Sequence, residues 1–232
     1  MASSIAPLVS ETRIEDVLEY LPMSRITEYG AGQIIYGPER PSSSIYLVVA
    51  GKVRLSQFAA DGTEVLLDII RPDEIFGESS FLDYRGRCER AIAAEPSTVM
   101  AWAVSDMEKL VTTRPRLAVA LLQVFAQRNA QAALRIESFA TDNIEQRLAR
   151  SLLRFSERLG TLGEDGAERM MPLTHALLSQ YVGTSREIVT HYMTRFRKQG
   201  HVRYSRDGIV VYRNTLKSLL DNGATLSVAA GS

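Results

Sequence analysis

Between residues 24 and 104 the chain cannot sustain a long element, because turn residues interrupt it every few positions. Apolar runs with a period near two fall at residues 33–36, 44–49, 53–58, 65–70, 91–94 and 98–104. The breaks between them are Gly30-Ala31-Gly32, Gly37-Pro38, Ala50-Gly51, Asp61-Gly62, Arg71-Pro72-Asp73 and Glu95-Pro96. Short, evenly spaced strands joined by Gly/Pro turns predict an all-β sandwich or barrel. Asp61-Gly62 marks a hairpin, since both residues tolerate positive φ. A short helical pattern over residues 11–20 precedes this region and stops before Pro22.

At Pro115 the pattern becomes helical and stays so to about residue 139. Proline suits a helix's first turn, where its missing N–H costs nothing. Ala118, Leu122, Phe125, Asn129, Ala132, Ile136 and Phe139 recur alternately four and three apart, the spacing of a helix–helix seam. A lone Asn in such a seam fixes register and favours a parallel pair, so a homodimer is expected. The same stripe packed on the chain's own β domain is the competing reading. Asp142-Asn143-Ile144-Glu145 then reads as a capping box, with Asp142 as cap and Glu145 reaching back. It opens a helix over residues 143–159, followed by a Gly- and acid-rich loop at 160–166.

Two short amphipathic segments follow, joined at Gly183: Leu173-Thr174-His175-Ala176-Leu177-Leu178-Ser179-Gln180-Tyr181-Val182, then Thr184-Ser185-Arg186-Glu187-Ile188-Val189-Thr190-His191-Tyr192. This is the pattern of a helix-turn-helix. Leu177, Leu178, Tyr181, Val182, Ile188 and Val189 are expected to form its small core, continued by Tyr192, Met193 and Phe196. Ser185, Arg186, Glu187, Thr190 and His191 remain on the outward half that enters a major groove. Arg186 suits guanine O6 and N7, and Glu187 suits a cytosine amino group. Glu187 could instead close a capping box with Thr184. Thr174 is expected to cap the first helix and to meet a phosphate. Arg195, Arg197, Lys198, Arg203 and Arg206 are candidate backbone contacts. Residues 201–204 and 209–212 read as a β-hairpin wing, and the tail after about residue 222 as frayed.

Charge agrees with that placement. The chain is formally neutral over 232 residues, yet residues 143–232 hold 13 Lys/Arg against 8 Asp/Glu, while residues 1–142 hold 14 against 19. The basic half carries the helix-turn-helix, as attraction to phosphates requires. No apolar run nears the ~20 residues that span a bilayer. Met1-Ala2-Ser3-Ser4-Ile5 lacks a signal-peptide pattern, so a cytoplasmic protein without a membrane partner is expected. With Cys88 the sole cysteine, a four-cysteine zinc or iron–sulfur site is excluded and no metal site is expected. No paired carboxylates or nucleophile–histidine constellation points to an enzyme.

The order of β-roll, long helix and winged helix-turn-helix resembles the CRP/FNR superfamily of bacterial transcription regulators. The resemblance rests on Ser44-Ile45-Tyr46-Leu47-Val48-Val49-Ala50-Gly51-Lys52-Val53, Asp61-Gly62, Ile75-Phe76-Gly77-Glu78 and Gly183-Thr184-Ser185-Arg186-Glu187-Ile188-Val189. It implies an α+β protein: a jelly-roll-like sensor over residues 1–112, a dimerisation helix and hinge over 113–142, and a winged helix-turn-helix over 143–232. It also implies a homodimer on palindromic promoter DNA, with TGTGA-like half-sites where Arg186 and Glu187 are present, and RNA polymerase as partner. His191 replaces an arginine used by cyclic-AMP-responsive members.

In cyclic-nucleotide-binding members the segment matching Gly77, Glu78, Ser79 and Ser80 cradles the ligand's phosphate and ribose. An arginine then neutralises the phosphate. Counting forward from Glu78 with a two-residue insertion gives that place to Arg90 and the following hydroxyl residue's to Ala91, whereas counting back from Pro96 gives Cys88 and Glu89. Gly77 and Glu78 could equally serve only to shape the turn. Asn129 lies near the expected effector face, but the Thr-Ser pair that contacts the base in responsive members is Ala132-Ala133 here. These departures weigh against cyclic AMP and leave the small effector unassigned. All three histidines, His175, His191 and His201, lie in the DNA-binding half, which weighs against haem. A cyclic-nucleotide-binding module acting through protein partners is the alternative function.

Overall fold

The computed structural model describes residues 14–82, 89–163 and 166–229, with side chains described as far as residue 221. The N-terminal segment through residue 13, and with it Met1–Ile5, lies outside the described residues, as do Arg87 and Cys88. A 3-10 turn, Val17–Tyr20, leads into β1 (Arg25–Tyr29), β2 (Ile34–Tyr36), β3 (Ser44–Ala50), β4 (Val53–Phe58), β5 (Glu64–Ile70), β6 (Ile75–Phe76), β7 (Glu89–Ala93) and β8 (Ser97–Ala103). These form two antiparallel four-stranded sheets, ordered β1-β8-β3-β6 and β2-β7-β4-β5. Tyr36, Val53 and Ala91 of one sheet meet Tyr46, Phe76 and Val99 of the other in a shared core, so the domain is a jelly-roll-like β-roll.

The apolar run of β3 is continuous because both of its faces are buried. Tyr46 and Val48 face the roll interior, while Ile45 and Leu47 face the helices outside. The polar strand β1 escapes the sequence pattern because most of its residues stay accessible, and β6 is only two residues long. The segment after β8 is a helix, α1 (Val104–Thr113), which the sequence reading did not contain.

The long helix α2 runs Pro115–Thr141 with proline in its first turn. The two readings of its apolar stripe turn out to be compatible. Leu117, Ala120 and Leu121 pack on the outer face of the roll beside Ile45, Met100 and Trp102. On another side Leu122 (66% exposed), Asn129, Ala132 and Ile136 (69% exposed) stay uncovered in the single chain. Phe125 is partly buried against the roll.

Helix α3 (Ile144–Leu159) starts one residue later than expected. Asn143, not Asp142, is its cap, and Gln146, not Glu145, returns the bond to the cap amide. Asp142 instead pairs with Arg150 at 2.7 Å, and Glu145 accepts from Arg195 at 3.1 Å. Strand β9 (Thr161–Leu162) falls inside the stretch 160–166 expected to be loop, and β10 (Glu168–Met170) follows it. The reader then continues through α4 (His175–Val182), α5 (Arg186–Lys198), β11 (Val202–Tyr204), β12 (Ile209–Val211) and α6 (Arg213–Ala229). Strands β11, β12, β10 and β9 form the wing sheet in that order. The α6 backbone continues past residue 222, where the sequence reading placed a frayed tail.

The reader sits directly on the sensor. Leu66 and Ile69 of β5 share one buried core with Leu148, Leu152, Phe155, Leu178 and Tyr181. Polar groups ring that contact. Asp68 on β5 accepts from Arg154 at 3.0 Å and pairs with Arg158, which also meets Glu74 at 2.8 Å. Gln180 Nε2 donates to Glu64 at 3.2 Å. No helix among the described residues is long and apolar enough to cross a membrane.

Candidate nucleic-acid interface and sensor pocket

Helix α4 begins as its sequence predicts. Thr174 Oγ1 accepts from the Leu177 amide at 3.1 Å, satisfying one of the free donors of the first turn. It ends at Gly183, whose φ of 72° is left-handed. The Gly183 and Thr184 amides both donate back to the Ser179 carbonyl, at 2.9 and 3.2 Å. The chain thereby turns sharply into α5.

Ser185, not Thr184, caps α5, accepting from the Ile188 amide at 3.3 Å. Glu187 folds back toward this helix start. Bonds from its own amide and from Ser185 hold its carboxyl below the usual range. Val189, Met193 and Phe196 are fully buried against α3, α4 and the wing. Ile188, expected in that core, is 37% exposed. Residues 188 and 189 point about 100° apart on a helix, and Val189 takes the inward position.

Ser185, Arg186, Glu187, Thr190 and His191 all lie exposed on the first half of α5. Arg186 extends to solvent. His191 meets the Tyr192 ring edge-on at 5.2 Å. The Thr190 hydroxyl donates to the Arg186 carbonyl at 2.8 Å and lies 2.8 Å from His175 Nδ1. Sequence reasoning singled out Thr190 but missed His175 as its neighbour, a contact that exists only because α4 and α5 cross. Of the candidate phosphate contacts, Arg195 is paired with Glu145, and Arg197 lies 5.1 Å over the Tyr204 ring. Lys198, Arg203 and Arg206 are exposed around the wing.

In the sensor, Gly77 has a φ of 85°, and a Cβ there would sit 2.9 Å from the Tyr46 ring and 3.0 Å from the Ser44 carbonyl. The turn needs glycine whether or not a ligand binds. Glu78 opens a short 3-10 turn and accepts from Arg128 of α2 at 2.5 Å; the same guanidinium donates to the Ile75 carbonyl. Ser79 donates to Glu89 at 3.1 Å, and Ser80 donates to the Ser42 carbonyl at 3.3 Å.

Alternation along β7 decides between the two countings. Glu89, Ala91 and Ala93 turn inward, and Arg90 turns out to pair with Glu39 at 3.0 Å and cover Phe58 at 4.4 Å. Arg90, expected at the pocket, thus points out of the roll. The Tyr36 hydroxyl donates to Glu89 at 2.5 Å, beside a stack of Tyr36, Tyr46 and Phe76 rings 5.1–6.1 Å apart. Burial pushes the Glu89 carboxyl up, and the Tyr36 bond only partly offsets this. Glu89 beside Ser79, and the alanines at 132 and 133, depart from the residues that the family resemblance pairs with a cyclic nucleotide. Asn129 stays exposed on α2. Between this 3-10 turn and the α1–α2 pair lies an apolar cleft of about 400 Å³, lined by Phe81, Val111, Leu121, Leu122 and Phe125 with Glu78 at its edge. Among the described residues no cluster of His, Cys, Asp or Glu is placed to hold a metal ion.

Comparison with known proteins bears on both halves. Residues 26–114 match the model of the cyclic nucleotide-binding domain, and residues 146–219 match that of the Crp-like helix-turn-helix domain. The transcriptional regulator SdrP of Thermus thermophilus is 32% identical over 178 residues, covering 75% of this chain and 83% of its own. The cyclic AMP receptor protein of the same organism is 30% identical over 175 residues, 75% of this chain and 78% of its own. The solved structure of FixK2 from Bradyrhizobium japonicum shares the fold, with a TM-score of 0.72 at 23% identity over 85% of this chain and 98% of that one.

Proposed function

The chain belongs to the CRP/FNR superfamily of DNA-binding transcription regulators, and on that premise we propose that it acts as a homodimer on palindromic promoter DNA under the control of a small effector in the β-roll. The observation that carries this reading is the division of α5. Val189, Met193 and Phe196 are buried, while Ser185, Arg186, Glu187, Thr190 and His191 face outward together. A polar helix tip held on a rigid core is what reading base edges requires. Arg186 takes guanine, and Glu187 swings from its own helix start to a cytosine amino group. Thr174 and the wing cations position the backbone without specifying sequence. The uncovered α2 residues Leu122, Asn129, Ala132 and Ile136 supply the seam to a second copy, which sets the two reading helices about 34 Å apart.

The effector is not assigned by name, and the inward carboxyl of Glu89 argues against cyclic AMP. The bound dimer meets RNA polymerase in the cytoplasm, where the chromosome lies. Selection from a random duplex pool, followed by anisotropy titration over a salt series, tests the reading. The expected result is a palindromic motif, a steep salt slope, and a loss of about 1–3 kcal/mol of discrimination at one guanine in Arg186→Ala. Equal binding of every duplex, unchanged by that substitution, sinks it.

A further inference from the structure

We infer that His175 is a phosphate contact of the reader whose imidazole takes up a proton as the protein closes on a duplex. The inference rests on the DNA-reading function above and adds to it a residue and a dependence on pH. His175 is the first residue of α4, directly after the Thr174 cap, where α4, α5 and β11 meet. Its Nδ1 lies 2.8 Å from Thr190 Oγ1. Its ring meets Tyr204 edge-on, with centroids 5.5 Å apart at 72°. Tyr204 carries the Arg197 guanidinium over its face at 5.1 Å.

The hydrogen-bond count fixes the tautomer. Thr190 has one hydroxyl proton and donates it to the Arg186 carbonyl at 2.8 Å. It therefore accepts from His175, and Nδ1 carries the hydrogen. Nε2 is then the nitrogen that gains or loses a proton, and it has no hydrogen-bond partner among the described residues. The groups around the ring are Thr190 and Arg186 from α5 and Tyr204 from β11, with Arg197 beyond the tyrosine, and the ring itself stands at the start of α4. Of these, Arg186 and Arg197 are full positive charges and the helix start a partial one. Burial, and then the Arg186 charge, keep the imidazole below its usual pKa. The free protein thus presents a neutral ring with a bare Nε2 lone pair.

A duplex buries the ring further, but its phosphate charge acts on the imidazole in the opposite sense to Arg186 and outweighs that added burial. The start of α4 offers free N–H groups and a positive dipole end, which draw a phosphate. That phosphate repels an unprotonated Nε2 and accepts a hydrogen bond from a protonated one. Engagement of Arg186 with phosphate-rich DNA also screens its charge from the ring. The bound state therefore holds a proton that the free state lacks, and affinity rises as pH falls through the interval between the two pKa values.

The test uses the full chain and a duplex selected from a random pool, at constant ionic strength. Sequence-selective binding is established first at pH 8, and its absence there would end the DNA reading itself, together with this inference. From pH 8 to pH 6 the wild type is expected to tighten about 3- to 10-fold per half-site, since one linked proton permits at most about tenfold per pH unit. His175→Gln flattens the profile, while His191→Gln and His201→Gln keep the slope even where they weaken binding. In the wild type, the imidazole pKa of His175, followed by nuclear magnetic resonance, rises when duplex is added. A slope that survives in His175→Gln, or a His175 pKa unmoved by duplex, overturns the inference.

Discussion

The Phe139 ring occupies the space where a side chain on residue 183 would stand. A Cβ on Gly183 would come within 2.9 Å of Phe139 Cε1. The ring is held from two directions by the guanidinium groups of Arg135 at 5.5 Å and Arg147 at 5.0 Å. Arg135 also donates to the Tyr181 carbonyl at 2.7 Å, two residues before that glycine. The end of the long helix is thereby keyed into the turn of the DNA reader. The sequence reading assigned Phe139 to the dimer seam; in the single chain it packs on its own reader.

Gly183→Ala is expected to destabilise the reader and weaken DNA binding. A left-handed alanine costs about 1–2 kcal/mol, and the contact with Phe139 adds to this. In thermal unfolding each kcal/mol lowers Tm by roughly 2–4 °C for a chain of this size. Gly183→Ala with Phe139→Leu should be milder than the sum of the two single changes, because one contact underlies both. Strict additivity would show that the ring and the turn are independent.

Asp68 joins sensor to reader through Arg154 and Arg158. Its side chain is 17% exposed, so the pairs are poorly screened. Asp68→Asn leaves two half-buried guanidiniums with a weaker partner and should cost about 1–3 kcal/mol. Urea unfolding measures the loss, and hydrogen exchange should speed up in both β5 and α3. Faster exchange in only one of them would mean that the contact does not couple the domains.

Leu122→Glu combined with Ile136→Glu places charges on the uncovered side of α2. Both residues are more than half exposed in the single chain, so the folded monomer should survive. The expected outcome in sedimentation is a shift from dimer to monomer, with loss of affinity for a palindrome. A variant that stays dimeric would move the interface elsewhere.

Burial raises the Glu89 carboxyl above the usual range. In the pH interval between its unfolded value of about 4.3 and its raised folded value, the native state binds more protons than the unfolded one. Stability from this group therefore falls as pH rises through that interval. Glu89→Gln keeps an acceptor for Tyr36 and Ser79 without the charge. The variant should gain on the wild type as pH increases from about 4, read as the difference in urea midpoints across a pH series. A constant difference at all pH values would show that Glu89 titrates normally.

What could be read from the residues follows a physical line. Punctuation by Gly and Pro marked the roll, and Pro115, Thr174 and Gly183 marked helix ends, because propensity and capping act over a few neighbouring residues. Strand β1, mostly accessible, and the two-residue β6 left no apolar pattern to find. Asp142 and Asn143 are both competent caps, and only backbone geometry chose Asn143. Arg90 and Glu89 could not be told apart by counting, since a shift of one residue exchanges the faces of a strand.

By itself the sequence determined the order of elements and which face of each helix is apolar, since side-chain periodicity is a property of local backbone geometry. Tertiary structure alone decided that Glu89 rather than Arg90 looks into the roll, that Phe139 meets Gly183, and that His175 meets Thr190. Each of those outcomes depends on packing between separate elements, and no local window of sequence contains that information.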